Sequence, residues 1–428
     1  AAISVTGQGG SGSGNVHAGV IVSDSAEISS TNTATIQVTG TGGTTTGGSS
    51  NSGVLLTTSG KIQTKDGDIT ITGQGGSGGA TGYHLGVYGS SNSQIISTGS
   101  GEISITGRGG TSANSNIGVA FLGAGVQTAN ADVTITGYGN TASGNSNHGL
   151  WLGSTSNVTS TGSGNLTLTG VEGAGTSNGF YSVTGANTIG SATMTGDITL
   201  NADVWSMADM SIQTAGQIQY ASNTASASIG LNGGAGTVQM QNTLLDSINT
   251  ATVSPSNVTL GHSSGTGLVT IGNNWDLSGY SFPVTVSGGR ITSNTITAGA
   301  NDFTMRANVG DIILNGQLQS QGALTLSAPY GQIINNYGAN VFDVSGGGSY
   351  SMVSASSKTR SSNYLLGFNY LTRQLVTQLV RKRENDKNEL LPLNTNAALQ
   401  KSIHLRWVDI SELNVDPPVL QTRGQQIN

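Results

Sequence analysis

The chain is 428 residues long and 67 of them are glycine, about twice the usual share of roughly 7%. Only 8% are charged, 5% are aromatic and none is cysteine, which excludes a disulfide framework and a thiolate metal site. Residues 1–357 carry a net charge of −10 and residues 358–428 a net charge of +4. The long part therefore lacks the dense Lys and Arg that phosphate binding needs, which argues against a nucleic acid partner.

The chain opens on "AAISVTG". This stretch has neither the basic start nor the apolar core of a signal peptide. The expectation is a removed leader or a start inside a longer protein. An apolar–hydroxyl alternation then recurs as "ISVTGQGG" from Ile3, "IQVTGTGG" from Ile36, "ITITGQGG" from Ile69, "ISITGRGG" from Ile103, "VTITGYGN" from Val133 and "LTLTGVEG" from Leu166. The intervals are 33, 33, 34, 30 and 33 residues. A second run follows each at Gly19, Gly53, Gly86, Gly118, Gly149 and Gly179, and a third centres on Ile28, Ile62, Ile95, Val126, Val158 and Ile189. Three short β-type runs per repeat, returning in register, predict one coil of a parallel β-helix, each strand pairing with its equivalent one repeat later about 4.8 Å away. Burying about six side chains at roughly 1.5–3 kcal/mol each falls short of the backbone ordering cost of about 1 kcal/mol or more per residue. A coil is thus stable only when stacked on others.

Residues 196–357 keep the pattern at a shorter period. In "GDIILNGQLQSQGALTLSAPYGQIIN" (310–335) the runs at Ile312, Leu324 and Ile333 give a turn near 21 residues. The expected organisation is 1–195 with six long repeats, 196–357 with shorter coils, and a charged tail over 358–428. Leu371, Leu375 and Leu379 at helical spacing predict an amphipathic helix in the tail. Ile403, Leu405 and Trp407 alternate as in a strand. These six residues are candidates for capping the last coil or for adding to another subunit. No apolar run of about 18 residues occurs, so no membrane-spanning helix is expected.

Four features compete for chemistry. Gly73, Gly75 and Gly78 spell G-x-G-x-x-G after a strand-like run, but a dinucleotide site needs a helix next, and "ATGYHLGVYGSS" is not helical. Loop punctuation is the reading. His17, His84 and His148 precede the second run on alternate coils, too far apart to share an ion. Asp68, Glu102 and Asp132 precede the first strand on successive coils, where a charged row discourages mispairing. Paired carboxylates could also hydrolyse glycans. No cofactor is expected; Ca²⁺ is the one that oxygen ligands leave open, although the G-G-x-G-x-D calcium repeat is missing. Lastly, Ile21, Leu55, Tyr88, Trp151 and Tyr181 follow the inward residue of the second strand. They should form an outward apolar and aromatic stripe. A covering loop or tail, a contact between rods and glycan stacking are the readings of that stripe.

The coils "GDITLNADV" and "GDIILNGQLQSQGALTLSAPYGQIIN" resemble those of filamentous-haemagglutinin-like exoproteins of the two-partner-secretion, adhesin type. The resemblance covers residues 1–357. It implies a right-handed parallel β-helix, a handedness that also follows from the crossover preference. It further implies secretion to the outer surface of a Gram-negative bacterium. The family's N-terminal secretion domain has no counterpart in these residues, so a portion of a longer exoprotein is expected. The resulting expectation is a non-enzymatic structural or adhesive rod that assembles with itself into extracellular filaments or binds host or bacterial surface glycans. The alternatives are a tailspike-like polysaccharide lyase or hydrolase and a glycan-binding module.

Overall fold

A computed structural model describes residues 2–355 apart from 80, 81, 113, 142, 143 and 345. The expected helix and strand of the 358–428 tail lie outside the described residues. The described residues form two compact units, one of Ala1–Thr224 with Val238–Val258, the other of Ala225–Thr237 with 259–355.

The first unit is a parallel β-helix with three strands per coil. Its first sheet runs from Ile3–Gln8 through Ile36–Thr41, Ile69–Gln74, Ile103–Arg108, Val133–Tyr138 and Leu166–Val171 to Ile198–Asn201 and Gln217–Ala221. Ile3, Ile36, Ile69, Ile103, Val133, Leu166, Ile198 and Ile218 pair in one column. The second sheet stacks Val20, Val54, Val87, Val119, Leu150, Phe180 and Trp205. The third stacks Ile28, Ile62, Ile95, Val126, Val158, Ile189 and Ile212. These are the registers read from the repeats. The period-2 alternation turns one aliphatic side chain of each pair inward, and the columns from the second coil onward are buried except at the half-buried Trp205.

Each corner has its own chemistry. Between second and third strands the chain reverses through paired left-handed residues, Asp24–Ser25, Thr58–Ser59, Ser91–Asn92 and Ser154–Thr155. Between first and second strands it makes a long excursion. Gly73 is the penultimate residue of the first strand and Gly86 immediately precedes the second; a Cβ on Gly73 would lie 2.0 Å from the Gly86 carbonyl oxygen. The excursion thus returns to where it left, and only glycine allows that approach. The excursions are themselves laddered, with Ser11–Gly12, Thr44–Thr45 and Ser77–Gly78 paired in parallel. The G-x-G-x-x-G therefore marks a laddered corner.

The second unit repeats the three-strand coil at a shorter period. Ile291, Ile312 and Ile333 pair in one column. Val284, Phe303, Leu324 and Tyr350 form another, and Trp275, Ile296, Leu318 and Phe342 a third. Its core is anchored by Trp275, packed edge-on to Phe303 at 6.2 Å between ring centroids. Among the described residues the helix Thr243–Asp246 is a single short turn, and no helix is long and apolar enough to cross a membrane.

Candidate functional site

The outward row of the second sheet is real as a column. Ile21 pairs with Leu55, Leu55 with Tyr88, Tyr88 with Ala120, Ala120 with Trp151 and Trp151 with Tyr181. It is not a bare stripe. The returning arm of each excursion places the residue two before the strand (Leu85, Ile117 or His148 on successive coils) beside it. Leu85, Ile117 and Ala120 form a buried cluster against which Tyr88 and Trp151 pack. One coil further on, the His148 ring stacks on Tyr181 at 4.1 Å and 12° and meets the Trp151 edge at 6.5 Å. Tyr88, Trp151 and Tyr181 end half-buried. Trp151 Nε1 is buried and has no hydrogen-bond partner among the described residues. Ile21, 49% exposed, is the member of the row that stays open. A loop therefore covers the middle of the stripe, making a second small apolar layer outside the coil.

The histidines divide into two kinds. His17 and His84 share the position three before the second strand with Asn51, Asn116 and Asn147. At this step the side chains of Asn51, His84, Asn147 and Ser177 accept the backbone N–H of the preceding coil. His17 N–H donates to Asn51 Oδ1 at 3.0 Å, Asn51 N–H to His84 Nδ1 at 3.3 Å, Asn116 N–H to Asn147 Oδ1 at 3.0 Å and Asn147 N–H to Ser177 Oγ at 2.9 Å. With Nδ1 accepting, His84 Nε2–H donates to the Gly78 carbonyl at 2.7 Å. His148 sits one residue later, and its Nδ1 accepts the Asn178 N–H at 3.0 Å. Burial among the rings holds its pKa down at about 4. Among the described residues no group of three or more His, Cys, Asp or Glu side chains is placed to hold a metal ion.

The acidic row is also a ladder. Asp68 Oδ1 accepts the Glu102 N–H at 3.0 Å and Asp132 Oδ1 the Asn165 N–H at 2.8 Å. Asn165 Oδ1 then accepts the Asp197 N–H and Asp197 Oδ1 the Gln217 N–H, at 2.8 and 2.7 Å. The second unit repeats the device, with Asp302 accepting from Ala323 and Asp311 from Gln332. Lys65 pairs with Asp66 at 3.6 Å, and the Arg108 guanidinium lies over the Tyr138 ring at 4.0 Å. Sequence reasoning placed these carboxylates in register but missed their backbone partners. The signal available was Asp or Asn at the same step of each coil.

One polar group escaped the sequence reading altogether. Glu172 follows the first strand of its coil. Burial, with the Asp203 charge nearby, raises its carboxyl pKa, and its Oε2 is buried without a partner among the described residues. Asp203 Oδ1 accepts the Asn223 N–H at 2.8 Å, and Asn223 Nδ2 donates to the Gly170 carbonyl at 2.9 Å. Glu172 and Asp203 are the two carboxylates here whose oxygens would suit a hard cation. Comparison of the chain with protein-family models, with curated proteins and with solved structures finds no match in any of the three.

Proposed function

We propose that the chain is a non-enzymatic structural or adhesive rod, secreted to or held at the outer surface of a Gram-negative bacterium. It works through its faces by self-association or by binding surface glycans. One observation carries the reading: two of the three carboxylates in register before the first strand are engaged in joining coil to coil. Asp68 and Asp132 hold backbone donors of the next coil, and the Asn and His column does the same at another corner. A side chain used this way is an acceptor for a fixed N–H, a poor starting point for a general base. The resemblance of the coils to secreted haemagglutinin-like exoproteins supports the localisation.

The test is incubation of the full chain with a broad panel of bacterial and plant polysaccharides. No turnover is expected. Turnover that Asp68→Ala or Glu102→Ala abolishes would overturn the reading in favour of a depolymerase.

A further inference from the structure

The second unit ends on an open rung. Ile333–Asn335, Phe342–Asp343 and Ser349–Ser354 are each the last strand of their sheet among the described residues. In the coils before them the inward columns are covered on both sides. Met305 and Leu326 are buried in one column, Ile296 and Leu318 in another. Their partners on the last rung, Met352 and Phe342, are only half-buried. The Phe342 ring stacks on Tyr350 at 5.3 Å and 15°, and Tyr337, between the first two of these strands, is 48% exposed. The core thus ends in apolar surface ringed by strand edges, an end that invites further stacking unless it is covered.

The chain leads straight to this surface. Ala355 N–H donates to the Gly331 carbonyl at 2.9 Å, as Val309 N–H does to the Gly289 carbonyl at 3.1 Å where an interior coil turns its corner. The chain therefore leaves the last rung on the path of a further coil. Residues 356–428 follow, outside the described residues. The first twelve, 356–367, can span up to about 40 Å. Beyond them Phe368, Leu371, Leu375, Val376 and Leu379 share one face at helical spacing, and Arg373, Gln374 and Thr377 share the other. Arg381, Lys382 and Arg383 come next, where the end of a helix favours positive charge. As a helix Phe368–Val380 is about 20 Å long, the length of a six-residue strand such as Ser349–Ser354. A helix bonds its own backbone internally, so it can lie on the core without pairing with the strand edges.

We infer that Phe368–Val380 lies as an amphipathic helix across the last rung, its apolar face on Phe342 and Met352. The occupant of the open end is then the chain's own tail. The competing occupant is a second copy, adding Ile403, Leu405 and Trp407 as a strand. The inference does not rest on the adhesive reading of the rod. It removes this end from self-association.

Hydrogen exchange followed by mass spectrometry tests it in the full chain. Slow exchange over 333–355 is expected for the native chain, unchanged across a dilution series. Leu371→Asp combined with Leu375→Asp should speed that exchange about tenfold or more and leave Ile198–Ala221 at the native rate. Gln374→Asp combined with Thr377→Asp adds the same two charges to the opposite face and should leave 333–355 at the native rate. Equal exchange in the native chain and the leucine variant would overturn the inference. So would equal acceleration by the control pair, or acceleration of the same size over Ile198–Ala221. Faster exchange of the native chain on dilution would also overturn it, because the cover would then be a second copy.

Discussion

The long coils of the first unit and the short coils of the second share a three-strand plan but close it differently. In the long coils the fifth step of the first sheet is Gly7, Gly40, Gly73, Gly107, Gly137 and Gly170. Each faces the carbonyl of a second glycine where the excursion returns, within about 2 Å of any added Cβ. Where the excursion is absent, the same step holds a buried Ala202, Ser222, Ala307 or Ala328, and in one coil Gly288, where an added Cβ would meet the Val269 side chain and no returning loop. The strand itself tolerates a side chain there. Loop closure, and not strand conformation, dictates the glycine.

The sharpest way to break this contrast is a pair of substitutions. Gly73→Ala should cost about 3 kcal/mol, since the Gly86 carbonyl would have to move. Ala307→Gly should cost only about 1 kcal/mol through backbone freedom. Urea denaturation of the two variants side by side reads the difference, and equal costs would remove the closure argument. Next in size is the amide column peculiar to the long coils. Asn147→Ala leaves the Asn116 N–H without its acceptor and takes one of two acceptors from the Asn116 side-chain amide, and should cost about 2 kcal/mol. Asp302→Asn in the short coils keeps an oxygen for the Ala323 N–H, so a change under about 0.5 kcal/mol is expected. Thermal melts compare them.

The ring layer outside the long coils makes stability pH-dependent. His148 has its folded pKa held at about 4, below its ordinary 6.5. The unfolded chain therefore takes the proton first, and stability falls as pH drops from 6.5 towards 4. His148→Gln should flatten that slope relative to the native chain, by about 1–2 kcal/mol at pH 5; parallel slopes in the two proteins would contradict the burial of the ring. The smallest effect belongs to the tight corner. Thr58 is β-branched with φ +49, so Thr58→Asn should stabilise by about 0.5 kcal/mol, because asparagine visits the left-handed region more readily. A lower melting temperature for the variant would mean that the threonine side chain contributes something at that corner.

Much of this was legible in the chain itself. Period-2 alternation and the recurring Thr-Gly and Gly-Val pairs placed every column of the first unit's long coils, because a one-residue slip would turn each aliphatic outward. The stripe was legible as a column but not in its exposure. Its cover comes from Leu85 and Ile117, single apolar residues inside Gly- and Ser-rich loops, where no periodicity marks them. The pattern could still have been found one step away, since "HLGV", "NIGV" and "NHGL" each place a bulky residue just before the glycine. The carboxylate and amide ladders were hidden for a different reason. A side chain that bonds the backbone of another coil leaves its trace in the repeat alignment, not in its own neighbourhood.

Self-association is the property on which the proposed rod depends. Sedimentation of the full chain over a concentration series, with negative-stain electron microscopy of the same samples, reads it. Rods or fibres whose mass grows with concentration are expected, and Ile21→Lys should weaken the growth if the open end of the stripe takes part. Dispersed monomers at every concentration, for the native chain and the variant alike, would contradict assembly as the role of this β-helix.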